Sequence, residues 1–296
     1  MKALGDFFGW SKNATRMLTG FAFGAVAVFP ILWGGLWLVA MVFVFMCLCS
    51  REYVKMLEHK GFYPSLKIIL MSNFLFATVA YMKRFDLVSI ALTICTLSAF
   101  LWVLFRGRQP YIANVATTIL GVVYCGWFPL HIIFLRDLSS PVYDSGLGFV
   151  IMMVTCVILT DAGCYYIGCK YGKHKLAPVI SPNKTWEGSF GGGICSILGA
   201  IVVSFAVNLP LYLAICVGVI CTICAQIGDL CESLIKRDAG VKDSGHNLPG
   251  HGGFLDRVDS FILTIPVMFY FTKWFIMSNN ALPSVINFFQ ELIKAY

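Results

Sequence analysis

Long apolar runs separated by short polar breaks dominate the chain. They occupy roughly residues 21–33, 35–49, 68–82, 87–105, 113–135, 147–168, 188–207, 211–228 and 260–276. Most are long enough to form a helix that crosses a bilayer, which takes about 20 residues. The first two runs are nearly continuous. As one straight helix, 21–49 would run about 43 Å at about 1.5 Å per residue, longer than the about 30 Å hydrocarbon core. Pro30 and the pair Gly34-Gly35 interrupt it, so two helices fit, giving nine spans. One long tilted helix is the alternative and gives eight. No cleavable signal peptide is expected, because the first apolar run starts late and leads into further spans.

Composition agrees with this pattern. Of 296 residues, 58% are hydrophobic and only 12% charged, and mean hydropathy is +0.80. A soluble domain carries about 25% charged residues. A cytosolic enzyme, a disordered chain and a secreted disulfide scaffold are therefore excluded. The expected class is an all-α polytopic membrane protein with a polar site at one face. The twelve cysteines lie almost entirely in apolar runs, where Cys serves as a small hydrophobe. The pair Cys221-x-x-Cys224 has no second ligand pair nearby, so neither zinc nor a disulfide framework is expected.

The net charge of +7 reads as orientation rather than nucleic-acid binding. With the N-terminus inside and nine spans, 17 of the 22 Lys and Arg fall on the inner side and 5 on the outer. That is the positive-inside bias. The polar segments 169–187 and 229–259 both fall inside. The expected location is the inner (cytoplasmic) membrane with the site facing the cytoplasm. Residues 1–150 carry six of the fifteen acids, all expected in termini or loops with no chemical cluster. That half reads as a transmembrane scaffold, lipid-facing or dimer-forming. Residues 161–259 carry eight acids and eight bases, so 151–296 is expected to hold the catalytic machinery.

Three groups of residues carry candidate chemistry. The first is 229–259, DLCESLIKRDAGVKDSGHNLPGHGGFLDRVD. Asp229, Glu232, Ser233 and Lys236 follow i, i+3, i+4, i+7 spacing and share a face if the helix continues. Asp256 and Asp259 share a face at the start of the last span. The glycine-rich stretch around His251, Gly252 and Gly253 can bring backbone N–H groups to a phosphate. Carboxylates at adjacent helix ends suit Mg²⁺, which completes its shell with substrate phosphates. Lys236, Arg237, Lys242 and Arg257 suit phosphate oxygens.

The second group is SPNKTWEGSFGG, 181–192. Lys184 and Thr185 can meet an anion at a helix start, with Glu187 in the first turn. A plainly capped helix start with an interfacial Trp186 is the other reading. The third is Asp161, an ionisable residue inside a span and so a functional candidate. Its alternative is a structural pairing with a lysine or a helix end.

Residues 233–259 resemble the signature of phosphatidate cytidylyltransferases, the CDP-diacylglycerol synthases. The pattern reads Ser-x-apolar-Lys-Arg, four residues, Lys-Asp, then Pro-x-His-Gly-Gly-apolar-x-Asp-Arg-apolar-Asp. Every fixed position is present: Ser233, Lys236, Arg237, Lys242, Asp243, Pro249, His251, Gly252, Gly253, Asp256, Arg257 and Asp259. SPNKTWEG resembles a second family motif, with Asn183 where a lysine is usual, and Asp161 with Tyr165 resembles an Asp-x-x-x-Tyr stretch. The resemblance covers about 155–265. It implies a membrane enzyme, often a homodimer, that uses CTP and phosphatidic acid, requires Mg²⁺, and has K⁺ as a candidate second cation. It places the metal on Asp229, Asp256 and Asp259. It leaves Lys184, Thr185, Glu187, Ser233, Lys242, Asp243, His251, Gly252, Gly253, Arg257 and Asp161 for substrate, with Lys236 and Arg237 in catalysis. Membrane lipids are expected partners and nucleic acid is not. Two rivals stand beside it: a CTP-dependent polyprenol or phytol kinase, and a cation transporter whose path uses the same acids.

Overall fold

The computed structural model describes residues 24, 27–139, 146–245 and 252–277. Within them the chain is almost entirely helical. The helices are α1 (Gly35–His59), α2 (Leu66–Tyr81), α3 (Val88–Arg106), α4 (Tyr111–Val122), α5 (Phe128–Arg136), α6 (Gly146–Tyr171), α7 (Trp186–Val207), α8 (Leu211–Asp238) and α9 (Leu255–Phe271). A π-helical turn, Val123–Trp127, joins α4 to α5. Among the described residues, six helical segments are long and apolar enough to cross a membrane, and Leu66–Tyr81 is a shorter apolar helix. The architecture is that of an all-α polytopic membrane protein.

Eight of the nine expected runs coincide with these helices. Residues 21–23, 25 and 26 of the first, 21–33, lie outside the described residues. Its described part, 27–33, is helical. Pro30 sits inside that helical stretch, and the break comes at Gly34 instead. Gly34 and Gly35 adopt φ of +73° and +54°, a region open to glycine and costly to other residues. The carbonyls left free at this helix end are taken up by the Arg136 guanidinium, which donates to Ile31 and Leu32 at 3.1 and 3.2 Å.

Two helices run about ten residues past their apolar runs. α1 continues to His59 and carries Arg51, Glu52 and Lys55. α8 continues to Asp238 and carries Asp229, Glu232, Lys236 and Arg237. Short connections return the chain, so the end of α1, the start of α2, the end of α3, the start of α4, the ends of α6 and α8 and the start of α9 share one face of the bundle. The ion pair of Lys60 with Asp238 ties the two halves together there.

One segment departs from the helical expectation. Residues of the 169–187 loop form a two-stranded antiparallel hairpin, β1 (Lys175–Ala177) and β2 (Ser181–Thr185). Thr185 then caps α7, its hydroxyl accepting from Gly188 N–H at 3.2 Å. α7 packs closely on α6 through glycines. A Cβ on Gly163 would stand 2.8 Å from Gly192 Cα, the close backbone approach that small residues permit between membrane helices. All twelve cysteines are free. Large apolar side chains such as Phe105, Ile112 and Phe205 point outward on the helices, as a lipid-facing surface requires.

Candidate active site

Four elements bring acids together at the polar end of the bundle. α6 supplies Asp161, α8 supplies Asp229 and α9 supplies Asp259, while β2 carries Lys184 between them. Lys184 Nζ lies 2.7 Å from Asp229 Oδ2. Ser260 Oγ lies 3.3 Å from Asp161 Oδ1, and Ser260 N–H donates to Asp259 at 2.6 Å. Ser233 Oγ donates to the other oxygen of Asp229 at 3.3 Å. Asp229 and Asp161 both act electrostatically on Asp259. The cluster holds three carboxylates to one ammonium group. It opens on a cavity of about 510 Å³ lined by Asp161, Tyr165, Asn183, Lys184, Thr185 and Asp229, among others.

Asp256 belongs to a second, adjoining network. Lys236 Nζ lies 2.7 Å from Asp256 Oδ1 and 2.5 Å from Glu232 Oε2. The other Asp256 oxygen accepts from Ser244 N–H at 3.0 Å and Gly253 N–H at 2.8 Å, with Ser244 Oγ at 2.9 Å. So the three acids expected to act as one set divide: Asp229 and Asp259 meet Asp161, and Asp256 meets Lys236. Residues three apart on a helix are about 60° apart around its axis and about 4.5 Å apart along it. That offset is enough to aim Asp256 at Ser244 and Gly253 and Asp259 at α6 and α8.

The first half of the chain enters this second network, contrary to the expectation that its acids hold no cluster. Glu52 lies in helix α1, not in a loop, and is 1% exposed. Its Oε2 accepts from Leu255 N–H at 2.8 Å and lies 3.1 Å from Ser244 Oγ. Ser244 has one hydroxyl proton, so it donates to Glu52 or to Asp256 at a given moment. Gly253 is required where these groups crowd. A Cβ there would stand 1.8 Å from Ser244 Oγ and 2.7 Å from Glu52 Oε2. Gly252, at φ +78°, makes the turn before it.

Other expected residues occupy the edges. Arg237 donates to the backbone carbonyls of Ile180 and Val241 at 3.2 and 3.4 Å, bracing the hairpin against the loop. Glu187 accepts from Lys173 N–H at 3.0 Å and pairs with His174 at 2.6 Å, which fixes the start of the hairpin. Lys242 and Asp243 are exposed and line a groove of about 560 Å³ together with Glu52 and Ser244. Arg257 is exposed on the first turn of α9. His251 lies outside the described residues, as do Pro249 and Gly250.

Tyr124 is a second contribution from the first half. It sits on the π-helical turn, is 3% exposed, and its hydroxyl has no hydrogen-bond partner among the described residues. Glu232 and Asp259 are among its electrostatic neighbours. π-helical turns occur often at functional sites. Nothing in the apolar run 113–135 marks this tyrosine. Glu52, by contrast, had one visible sign: it stands in a helix continuation where every third or fourth position is apolar.

Carboxylate oxygens of this kind suit a hard divalent cation in chemistry, one whose shell is completed by substrate phosphates. Among the described residues, no three acids, histidines or cysteines are close enough to enclose an ion.

Comparison with known proteins adds the following. The model of the "Cytidylyltransferase family" matches residues 14–275. A Synechocystis protein named phosphatidate cytidylyltransferase is 32% identical over 272 residues, covering 83% of this chain and 92% of that protein. A Staphylococcus haemolyticus protein of the same name is 52% identical over 127 residues, covering 42% of this chain and 49% of that protein. One from Mycobacterium bovis is 39% identical over 153 residues, covering 51% and 48%. The chain thus spans about half the length of the staphylococcal and mycobacterial relatives and nearly all of the cyanobacterial one.

Proposed function

The chain belongs to the cytidylyltransferase family, and from that premise we propose that it is a CTP:phosphatidate cytidylyltransferase. It joins phosphatidic acid to the cytidylyl group of CTP, giving CDP-diacylglycerol and pyrophosphate. The observation that carries this reading is the carboxylate cluster of Asp161, Asp229 and Asp259 with Lys184 between them, beside the loop that holds the family motif.

The reaction needs little acid–base chemistry. A phosphate monoester is already ionised near neutral pH, so one of its oxygens can attack the α-phosphorus of CTP directly. The new P–O bond forms as the α–β bridge breaks, and pyrophosphate leaves with the bridging electrons. The barrier is the approach of one anion to another, lowered by positioning and by fixed positive charge. On this reading Asp229 and Asp259 would hold Mg²⁺ together with the phosphates of CTP, with Asp161 beside them, and Asp256 would hold Ser244, Gly253 and Lys236 in register with them. Bound there, Mg²⁺ would neutralise charge on the CTP phosphates. Lys184 reaches the same cavity and would grip a phosphate directly. Lys242 and Arg257, both exposed, would meet phosphate oxygens. K⁺ is a candidate second cation on the resemblance alone.

The same reading puts the protein in the inner (cytoplasmic) membrane with this end facing the cytoplasm, as the 17-to-5 distribution of basic residues favours. It assigns 151–296 as the catalytic unit and 1–150 as a scaffold that lends Glu52 and Tyr124. A homodimer rests on the family resemblance.

Purified protein in detergent, given CTP, phosphatidic acid and Mg²⁺, should yield CDP-lipid and pyrophosphate. Release of CDP with a phosphorylated lipid would overturn the reading in favour of a kinase. Cation uptake into vesicles without CTP would favour a transporter.

A further inference from the structure

Five basic side chains gather where the ends of α1 and α3 meet the starts of α2 and α4, and Lys55 among them also reaches the groove beside Lys242. Arg51 and Lys55 come from α1, Lys67 from the start of α2, Arg106 from the end of α3 and Arg108 from the turn before α4. They line a groove of about 560 Å³ whose lining includes one acid, Glu58. Five positive charges against one negative leave four uncompensated, and none of the five basic residues forms an ion pair among the described residues. Like charges held this close repel unless an anion joins them.

The groove is built rather than incidental. Asn114, buried in α4, donates to the Arg108 carbonyl at 2.7 Å and accepts from Tyr63 N–H at 2.7 Å. That pins together the two loops whose side chains form the rim. Arg108 lies over the Tyr63 ring and Lys67 over the Trp102 ring, each 5.8 Å from the centroid.

A second feature identifies the shape of the occupant. Arg51 also lines an apolar crease of about 300 Å³ between α1 and α2, formed by Phe43, Val44, Cys47, Leu48 and Leu70. The crease runs from the charged rim along the lipid-facing side of the bundle. A phosphate at the rim with a hydrocarbon chain in the crease matches both halves, whereas a nucleotide would leave the crease empty. Basic pockets at helix ends attract anionic headgroups in this way.

We propose that this groove is a binding site for an anionic phospholipid, with the headgroup phosphate on Arg51, Lys55, Lys67, Arg106 and Arg108 and an acyl chain in the α1–α2 crease. It is separate from the carboxylate cluster, with α1 standing between them. It depends on the membrane architecture and not on the catalytic reading.

Native mass spectrometry of the full chain in detergent tests it, with dioleoyl phosphatidylglycerol, dioleoyl phosphatidic acid, dioleoyl phosphatidylcholine and CTP as probes. The unaltered protein should retain both anionic lipids over phosphatidylcholine. The triple substitution Lys67→Gln, Arg106→Gln and Arg108→Gln should weaken anionic-lipid binding by about tenfold or more and leave CTP binding unchanged. Val44→Trp, which fills the crease and leaves the charges, should weaken the same lipids. Should the triple variant fail to fold, Arg106→Gln alone should weaken the same lipids by a smaller factor. Equal retention of phosphatidylcholine, anionic-lipid binding unchanged in these variants, or a parallel loss of CTP would each overturn the proposal.

Discussion

The carboxylate of Glu52 accepts a hydrogen bond from the backbone N–H of Leu255, 2.8 Å away in space and 203 residues along the chain. Leu255 is the first residue of α9, and that helix has no side-chain cap of its own at Phe254. The first N–H groups of a helix lack intrahelical partners. Glu52 supplies one from a different helix, and its negative charge is favourable at that end of the dipole. The helix so anchored carries both Asp256 and Asp259. A residue of the first half therefore sets where two acids of the second half stand.

Glu52→Ala leaves Leu255 N–H without its acceptor in a buried site, a loss of about 1–3 kcal/mol. Thermal unfolding in detergent should show lower stability, and turnover should fall with it. Glu52→Gln keeps an acceptor oxygen and should recover much of the stability. Equal behaviour of the two variants would contradict the capping role.

Lys236 balances two partly or wholly buried acids, Glu232 and Asp256. Lys236→Met leaves both without their cation, and removing one partner of a buried ionic group costs about 3–5 kcal/mol. The variant should accumulate poorly. The double substitution Lys236→Met with Glu232→Gln should restore part of its yield, measured by size-exclusion chromatography. Turnover should remain low, because Asp256 still lacks its partner.

Gly253→Ala should be more damaging than an exposed glycine change. Its Cβ would overlap Ser244 Oγ, and relieving the clash displaces the hydrogen bonds to Asp256. Overpacking of this kind costs about 1–3 kcal/mol. Gly240→Ala tests a different factor: among the described residues nothing lies within 4 Å of its Cβ, but φ is +73°, so it should cost backbone strain and spare turnover.

Chelation of divalent cations should abolish CDP-lipid formation, and added Mg²⁺ should restore it. Asp229→Asn or Asp259→Asn should raise the Mg²⁺ concentration for half-maximal rate and lower the maximal rate. Asp256→Asn should remove most turnover while the protein still inserts and folds. Near-normal activity in Asp256→Asn would remove that residue from the site.

Much of the molecule was legible one residue at a time. Eight apolar runs located the helices, one of them covering both α4 and α5, because a bilayer span requires local, contiguous hydrophobicity. The scarcity of charge elsewhere made 161–259 stand out as the candidate site, and the spacing of Asp229, Ser233 and Lys236 placed them on a helix continuing past its apolar run. The hairpin at 175–185 was not legible, since strands of three and five residues carry too little periodicity to distinguish from a loop.

Sequence alone determined that the chain is built of membrane-spanning helices and that its charged side chains concentrate between 161 and 259. Only the tertiary structure decided how they are grouped. It joined Asp161 to Asp229 and Asp259, turned Asp256 toward Lys236, and drew Glu52 and Tyr124 in from the other half. The reason is geometric. Local patterns fix which face of a helix a residue occupies, but the rotation of one helix against another is set by packing between distant segments, such as glycines 163 and 192 on α6 and α7. A turn of that rotation decides which two carboxylates meet.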